Sequence, residues 1–146
     1  MAATLSARLA LARALTWLHL ANAFVLLLIP LGLTVAGFGA SRRRHPLTAG
    51  WWRWQGGWQV AVLVQAAAGI AMVALGLRPK DPLHYLYGAL AVLILLAERG
   101  LMADQPLRVS LEADYGRFNE AKVYAWINLV AFLVAARGLT TGLFGF

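Results

Sequence analysis

Cysteine is absent from this chain of 146 residues. Disulfides, thiolate metal sites, iron–sulfur clusters and haem attached through a Cys-x-x-Cys-His motif are thereby excluded. Charge is scarce too. Only 13% of residues are Asp, Glu, Lys or Arg, against about 25% in a soluble domain, which is too little to cover a globule in water. No P-loop, dinucleotide fingerprint, zinc-ligand motif or nucleophile–base arrangement occurs. The polar connections are too short to hold a soluble active site.

What is present is apolar: 61% of residues are hydrophobic, and the mean hydropathy is +0.67. Crossing a bilayer takes about 20 apolar residues in a helix. Four such runs fit, at about residues 14–38, 57–77, 82–101 and 122–141, at 1.5 Å of rise per residue. The expected fold is all-α: an integral membrane protein in which residues 1–146 form a single up-down bundle of four transmembrane helices. The first run follows Arg8 and Arg13 as a signal peptide would, but it exceeds an h-region of about 7–15 residues and reads as a retained span. Pro30 deprives the Leu26 carbonyl of its helical donor, so a bend is expected there. Asp81 reads as an N-cap with Pro82 at the first helical position. The loop "ADQPLRVSLEADYGRFNE" has the makings of a short helix on the membrane surface.

The formal net charge is +7, but the basic residues flank apolar runs, a pattern of membrane topology and anionic lipid and not of nucleic-acid binding. Four spans put both termini and the "RPKDP" link on one side. That side carries Arg8, Arg13, Arg78, Lys80 and Arg137; the long loops carry Arg42, Arg43, Arg44, Arg53, Arg99, Arg108, Arg117 and Lys122. The positive-inside tendency then places the loops in the cytoplasm and the termini outside, in a cell inner membrane. Trp51, Trp52, Trp54 and Trp58, with Trp17 and Trp126 elsewhere, read as an interfacial aromatic belt.

His19 on the first span and His84 on the third both lie near the terminal face. Trp17 marks the interface, and His19 sits about 3 Å deeper at 1.5 Å per residue; His84, two residues past Pro82, lies at a similar depth. First and third helices are diagonal partners in an up-down bundle, so two imidazoles at matched depth can supply both axial ligands of one haem iron. Gly88 follows His84 by one turn and leaves room for a flat macrocycle. Gln65, Gly69, Met72 and Gly76 form one stripe on the second span. Gln65 and Asn22 are candidate contacts to a quinone or the haem edge, and Arg78 lies on the correct face for haem propionates. Arg137 points outward if Asn128 faces the core. Each feature has a plainer explanation: small-residue stripes pack helices, and an interfacial histidine can simply bind water. Ionisable groups inside a membrane are still functional candidates by default.

His45 lies on the opposite face, in a basic patch suited to lipid head groups. Glu98 and Arg99 read as a helix end reaching water. Glu112, Asp114 and Glu120 read as solvated loop residues, with no spacing for a metal loop or catalytic carboxylate pair.

In general plan the chain resembles small four-helix membrane-bound b-type cytochromes and accessory subunits of respiratory or photosynthetic complexes. The expected function is electron transfer through haem b held between the first and third helices, within a larger complex or a homo-oligomer, a non-catalytic role being favoured over an enzymatic one without excluding it. The alternative is a cofactor-free accessory or assembly subunit. A transporter or lipid-binding protein is disfavoured because the span interiors hold no carboxylate.

Overall fold

The computed structural model describes residues 2–144. It contains α1 (Ala2–Arg43), α2 (Ala49–Ala74), α3 (Leu83–Gly100), α4 (Pro106–Tyr115) and α5 (Glu120–Leu143). All but α4 are long and apolar enough to cross a membrane. Large apolar side chains stand outward along them, among them Leu28, Val35, Val60, Leu63, Leu93 and Leu133. A helix satisfies its own backbone groups, so such a surface suits a lipid bilayer.

The spanning helices alternate in direction. α1 packs along α5 and α2, whereas α3 packs along α5 and only lightly along α2. The α1 and α3 backbones do not come within packing distance of each other, and the two helices face each other diagonally. Small residues set the α1–α5 spacing: a Cβ on Gly37 would lie 3.0 Å from Ala125 Cβ and 3.2 Å from the Ala121 carbonyl oxygen. Without a hydrophobic drive between helices in lipid, such close packing is what holds them together.

The helices differ from the apolar runs at their ends. α1 continues through Pro30 to Arg43, and the connection to α2 is short. Thr48 caps α2, its side chain accepting the Trp51 N–H at 3.2 Å. The tryptophan-rich segment is therefore helical, and only part of it forms an interfacial belt. Trp51 and Trp58 are buried together with Gln55, Gln59 and Val62, a single face at helical spacing; Trp54 points outward. At its other end α2 stops at Ala74, short of the expected Leu77. Gly76, at φ 86°, closes a Schellman turn in which Leu77 N–H donates to Met72 O and Gly76 N–H to Val73 O, both at 2.9 Å. Gly76 is thus a helix terminator and not part of the stripe on α2. Asp81 caps the start of α3, its Oδ1 accepting the Leu83 N–H at 2.8 Å.

A second departure concerns Glu98. Read from sequence as reaching water, it is wholly buried, because it follows Leu95 by three positions and shares its inward face. The bundle interior therefore does hold a carboxylate, and the argument made against a transporter on that ground falls.

α4 lies against the end of α3. Arg108 holds it in place: Nε meets Glu112 at 3.1 Å, Nη1 meets Glu120 at 2.6 Å, and the guanidinium covers the Phe118 ring. The Glu120 carboxylate, more than any other group, holds the Arg108 guanidinium's pKa above its usual value. These carboxylates are partners of one cation and not merely solvated residues. Partly exposed pairs contribute about 0.2–1 kcal/mol each. Arg108→Ala is expected to loosen α4 without unfolding the bundle, seen as a few-fold faster amide hydrogen exchange over residues 106–115 and unchanged exchange in α5.

Candidate functional site

Toward the chain termini and the link between α2 and α3, the four spanning helices part around a cavity of about 680 Å3. That volume lies within the range of about 300–1,000 Å3 usual for small-molecule sites. Leu20, Ala23 and Leu26 of α1, Val62, Ala66 and Ile70 of α2, Ala91 and Val92 of α3, and Ala131, Val134 and Ala135 of α5 supply apolar wall. Trp58, Leu26 and Ala131 belong to a packed cluster with Val62 and Leu95, which closes the inner end.

His19 and His84 both line this cavity. Their ring centroids are 5.9 Å apart with the planes tilted by 55°. A metal–imidazole bond is about 2.0–2.1 Å, so two imidazoles on opposite sides of one ion place their ligating nitrogens about 4 Å apart. Ring centroids stand farther apart by the radius of each ring, and the observed spacing is of that order.

The His84 ring is fixed by α5. Its Nδ1 lies 2.9 Å from the Gly138 carbonyl oxygen. A carbonyl only accepts, so Nδ1 carries the hydrogen and Nε2 of the neutral ring keeps its lone pair, the arrangement typical of a metal-ligating histidine. Gly142 makes the fit possible, since a Cβ there would stand 3.0 Å from Cε1 and 3.1 Å from Nδ1 of the ring. Gly69 borders the His19 ring, and a Cβ there would lie in ordinary contact, 3.5 Å from its Cε1. The Gln65 backbone carbonyl borders the His19 ring, and Nδ1 of the ring is buried without a hydrogen bond of good geometry. A buried nitrogen left wholly unsatisfied costs about 1–3 kcal/mol.

The other expected site residues divide. Gly88 lines the cavity with nothing within 4 Å of a Cβ built on it, so it borders open space. Arg78 lies exposed at the cavity rim beside Pro79. Gln65 lines the cavity, but its Oε1 accepts from Asn22 Nδ2 at 2.9 Å, and Asn22 also donates to the Ala61 carbonyl at 2.8 Å. That pair ties α1 to α2. Arg137 is exposed, with its guanidinium 5.8 Å from the centre of the Tyr87 ring, while Asn128 is wholly buried. His45 sits exposed in the connection between α1 and α2.

Among the described residues no three His, Cys, Asp or Glu side chains cluster to hold a bare ion. A porphyrin brings its own four nitrogens, so a haem site asks the protein for only two.

Sequence reasoning missed a polar cluster in the opposite half of the bundle. Gln55, Gln59, Glu98, Tyr124 and Asn128 are all buried. Asn128 Nδ2 donates to Gln55 Oε1 at 2.9 Å and to the Tyr124 carbonyl at 3.0 Å. Gln59 Nε2 donates to Glu98 Oε2 at 3.3 Å, and the Tyr124 hydroxyl to the Glu98 carbonyl at 3.1 Å. The i, i+4 spacings of Gln55 with Gln59 and of Tyr124 with Asn128 were the available signal.

No protein-family model matches the chain, and neither a curated protein nor a solved structure does.

The glycines give a direct check on the site. Gly142→Ala should push the His84 ring off the Gly138 carbonyl and cost about 1–3 kcal/mol, the range for overpacking. Gly88→Ala should change stability by no more than about 0.5 kcal/mol. Imidazole 15N shifts of His84, read together with thermal denaturation in detergent, separate the two variants.

Proposed function

We propose that this chain binds one b-type haem between α1 and α3 and passes electrons within a cytoplasmic-type membrane. The observation that carries the reading is a single one. Two imidazoles from diagonally opposed helices, whose backbones do not pack against each other, stand 5.9 Å apart inside a cavity of about 680 Å3.

In this reading His19 and His84 would hold the haem iron. His84 is oriented by its Nδ1–H bond to Gly138, and His19 brings a buried nitrogen without a hydrogen bond of good geometry. Arg78 at the rim attracts the acidic edge of the macrocycle, and the apolar walls exclude water. Gly69 and Gly88 keep the flanks of the cavity free of side chains. When bound, haem supplies one-electron exchange at iron, while the protein sets orientation and potential. Gln65 is the polar group best placed to meet a quinone or the haem edge. Asn22 serves that contact by holding the Gln65 amide in place. Other membrane subunits, or further copies of the chain, would be the electron-exchange partners.

The purified protein should be red, with a b-type α band in its dithionite-reduced minus oxidised spectrum. His19→Ala and His84→Ala should each abolish the band, and His45→Ala should retain it. A colourless, folded preparation from haem-replete cells would overturn the proposal and favour a cofactor-free accessory subunit.

A further inference from the structure

The polar cluster around Glu98 has no part in the cavity chemistry, and its hydrogen bonding is incomplete. Three buried polar atoms there have no partner: Gln55 Nε2, Glu98 Oε1 and Asn128 Oδ1. The orientation of the amides follows from the bonds they do make. Asn128 Nδ2 donates to two acceptors, Gln55 Oε1 and the Tyr124 carbonyl. Turning Asn128 over would face its oxygen onto that carbonyl, so Asn128 Oδ1 and Gln55 Nε2 are the atoms left over. Gln55 also stands beside the Glu98 carboxyl without reaching hydrogen-bond geometry.

The unpartnered atoms are one donor, the Gln55 amide, and two acceptors, the Glu98 and Asn128 oxygens. A metal cation would satisfy only the acceptors. Water satisfies both kinds, and polar sites of this sort are where buried water is held. Among the described residues the Glu98 carboxyl has no ion-pair partner. It is faced by Gln55 and Gln59 from α2 and bonded through its backbone to Tyr124 of α5. The nearby charges Arg108 and Glu120 are paired with each other. A bare buried carboxylate costs several kcal/mol, and a proton removes that cost. Water lies close at hand, because Glu98 is two residues from the end of α3, about 3 Å along the axis.

We propose that Glu98, Gln55 and Asn128 form a second site, a buried water pocket through which the Glu98 carboxyl takes up and releases one proton. Exchange is with the aqueous face that carries residues 101–119. The step is an acid–base one: an O–H bond forms on the carboxylate as one breaks in the adjoining water, and nothing is oxidised or reduced. It does not rest on the haem reading.

The test is infrared difference spectroscopy of the full chain in lipid nanodiscs, between acidic and alkaline pH, in H2O and in D2O. The chain has three glutamates, Glu98, Glu112 and Glu120. In the double variant Glu112→Asp, Glu120→Asp, which keeps acidic partners for Arg108, synthesised with glutamate labelled with 13C at the side-chain carboxyl, Glu98 is the sole labelled side-chain acid. The expected result is a labelled C=O band that appears on acidification and shifts down within minutes in D2O. Adding Glu98→Gln removes it, and Asn128→Leu slows the D2O shift by an order of magnitude. A labelled carboxyl that responds to neither pH nor D2O would overturn the proposal, as would a D2O rate unaffected by Asn128→Leu. Because the double variant keeps Glu98 intact, the result stands even where Glu98→Gln does not fold.

Discussion

The close approach of α1 to α5 is the constraint on which the rest of the bundle depends. Gly37, Ala121 and Ala125 let the two backbones come together where a larger side chain would hold them apart. In lipid, apolar side chains gain nothing by leaving one hydrocarbon for another, so contact area and interhelical hydrogen bonds carry the association. α1 is thereby fixed to α5, and α5 in turn carries α3. The light contact between α2 and α3 is the remaining degree of freedom, and the cavity occupies the space it leaves.

The two halves of the bundle consequently differ in character. Near residues 101–119 the interior is aromatic and polar: Trp51, Trp52 and Tyr124 meet edge to face at centroid distances between 4.9 and 5.7 Å. The Trp51 indole N–H also reaches the Leu33 carbonyl, and the Glu98 cluster lies alongside. Near the termini the same four helices enclose a void with two imidazoles in its walls. Trp58 belongs to both, lining the void while leaving its indole nitrogen unpartnered and buried. A rigid half thus anchors a hollow one, as a scaffold does for a site needing fixed side-chain directions.

Much of this organisation was legible in the residues. The four apolar runs specify the spans, and alternation of direction sets His19 and His84 at one depth on diagonal helices. Helix ends were less legible, because hydropathy does not register capping: Thr48 begins α2 well before its most apolar stretch, and Gly76 ends it within one. Nor did position along the chain reveal burial. Glu98 near a helix end reads as solvated until its inward face is known, and Trp51 and Trp58 read as interfacial until their shared face with Gln55 is seen. Asn22 carried no sign of its partner, since its bonds to Gln65 and Ala61 bridge two helices. Pairings across long sequence separations are set by packing and not by local pattern.

The Gly138 carbonyl accepts from the His84 ring and, at 3.1 Å, from the Thr141 hydroxyl, which also reaches the Arg137 carbonyl. One oxygen atom therefore links an imidazole of α3 to the final turn of α5. Any unwinding or tilt of that turn must swing the ring with it, so the C-terminal end of the bundle acts as a lever arm on the aim of His84.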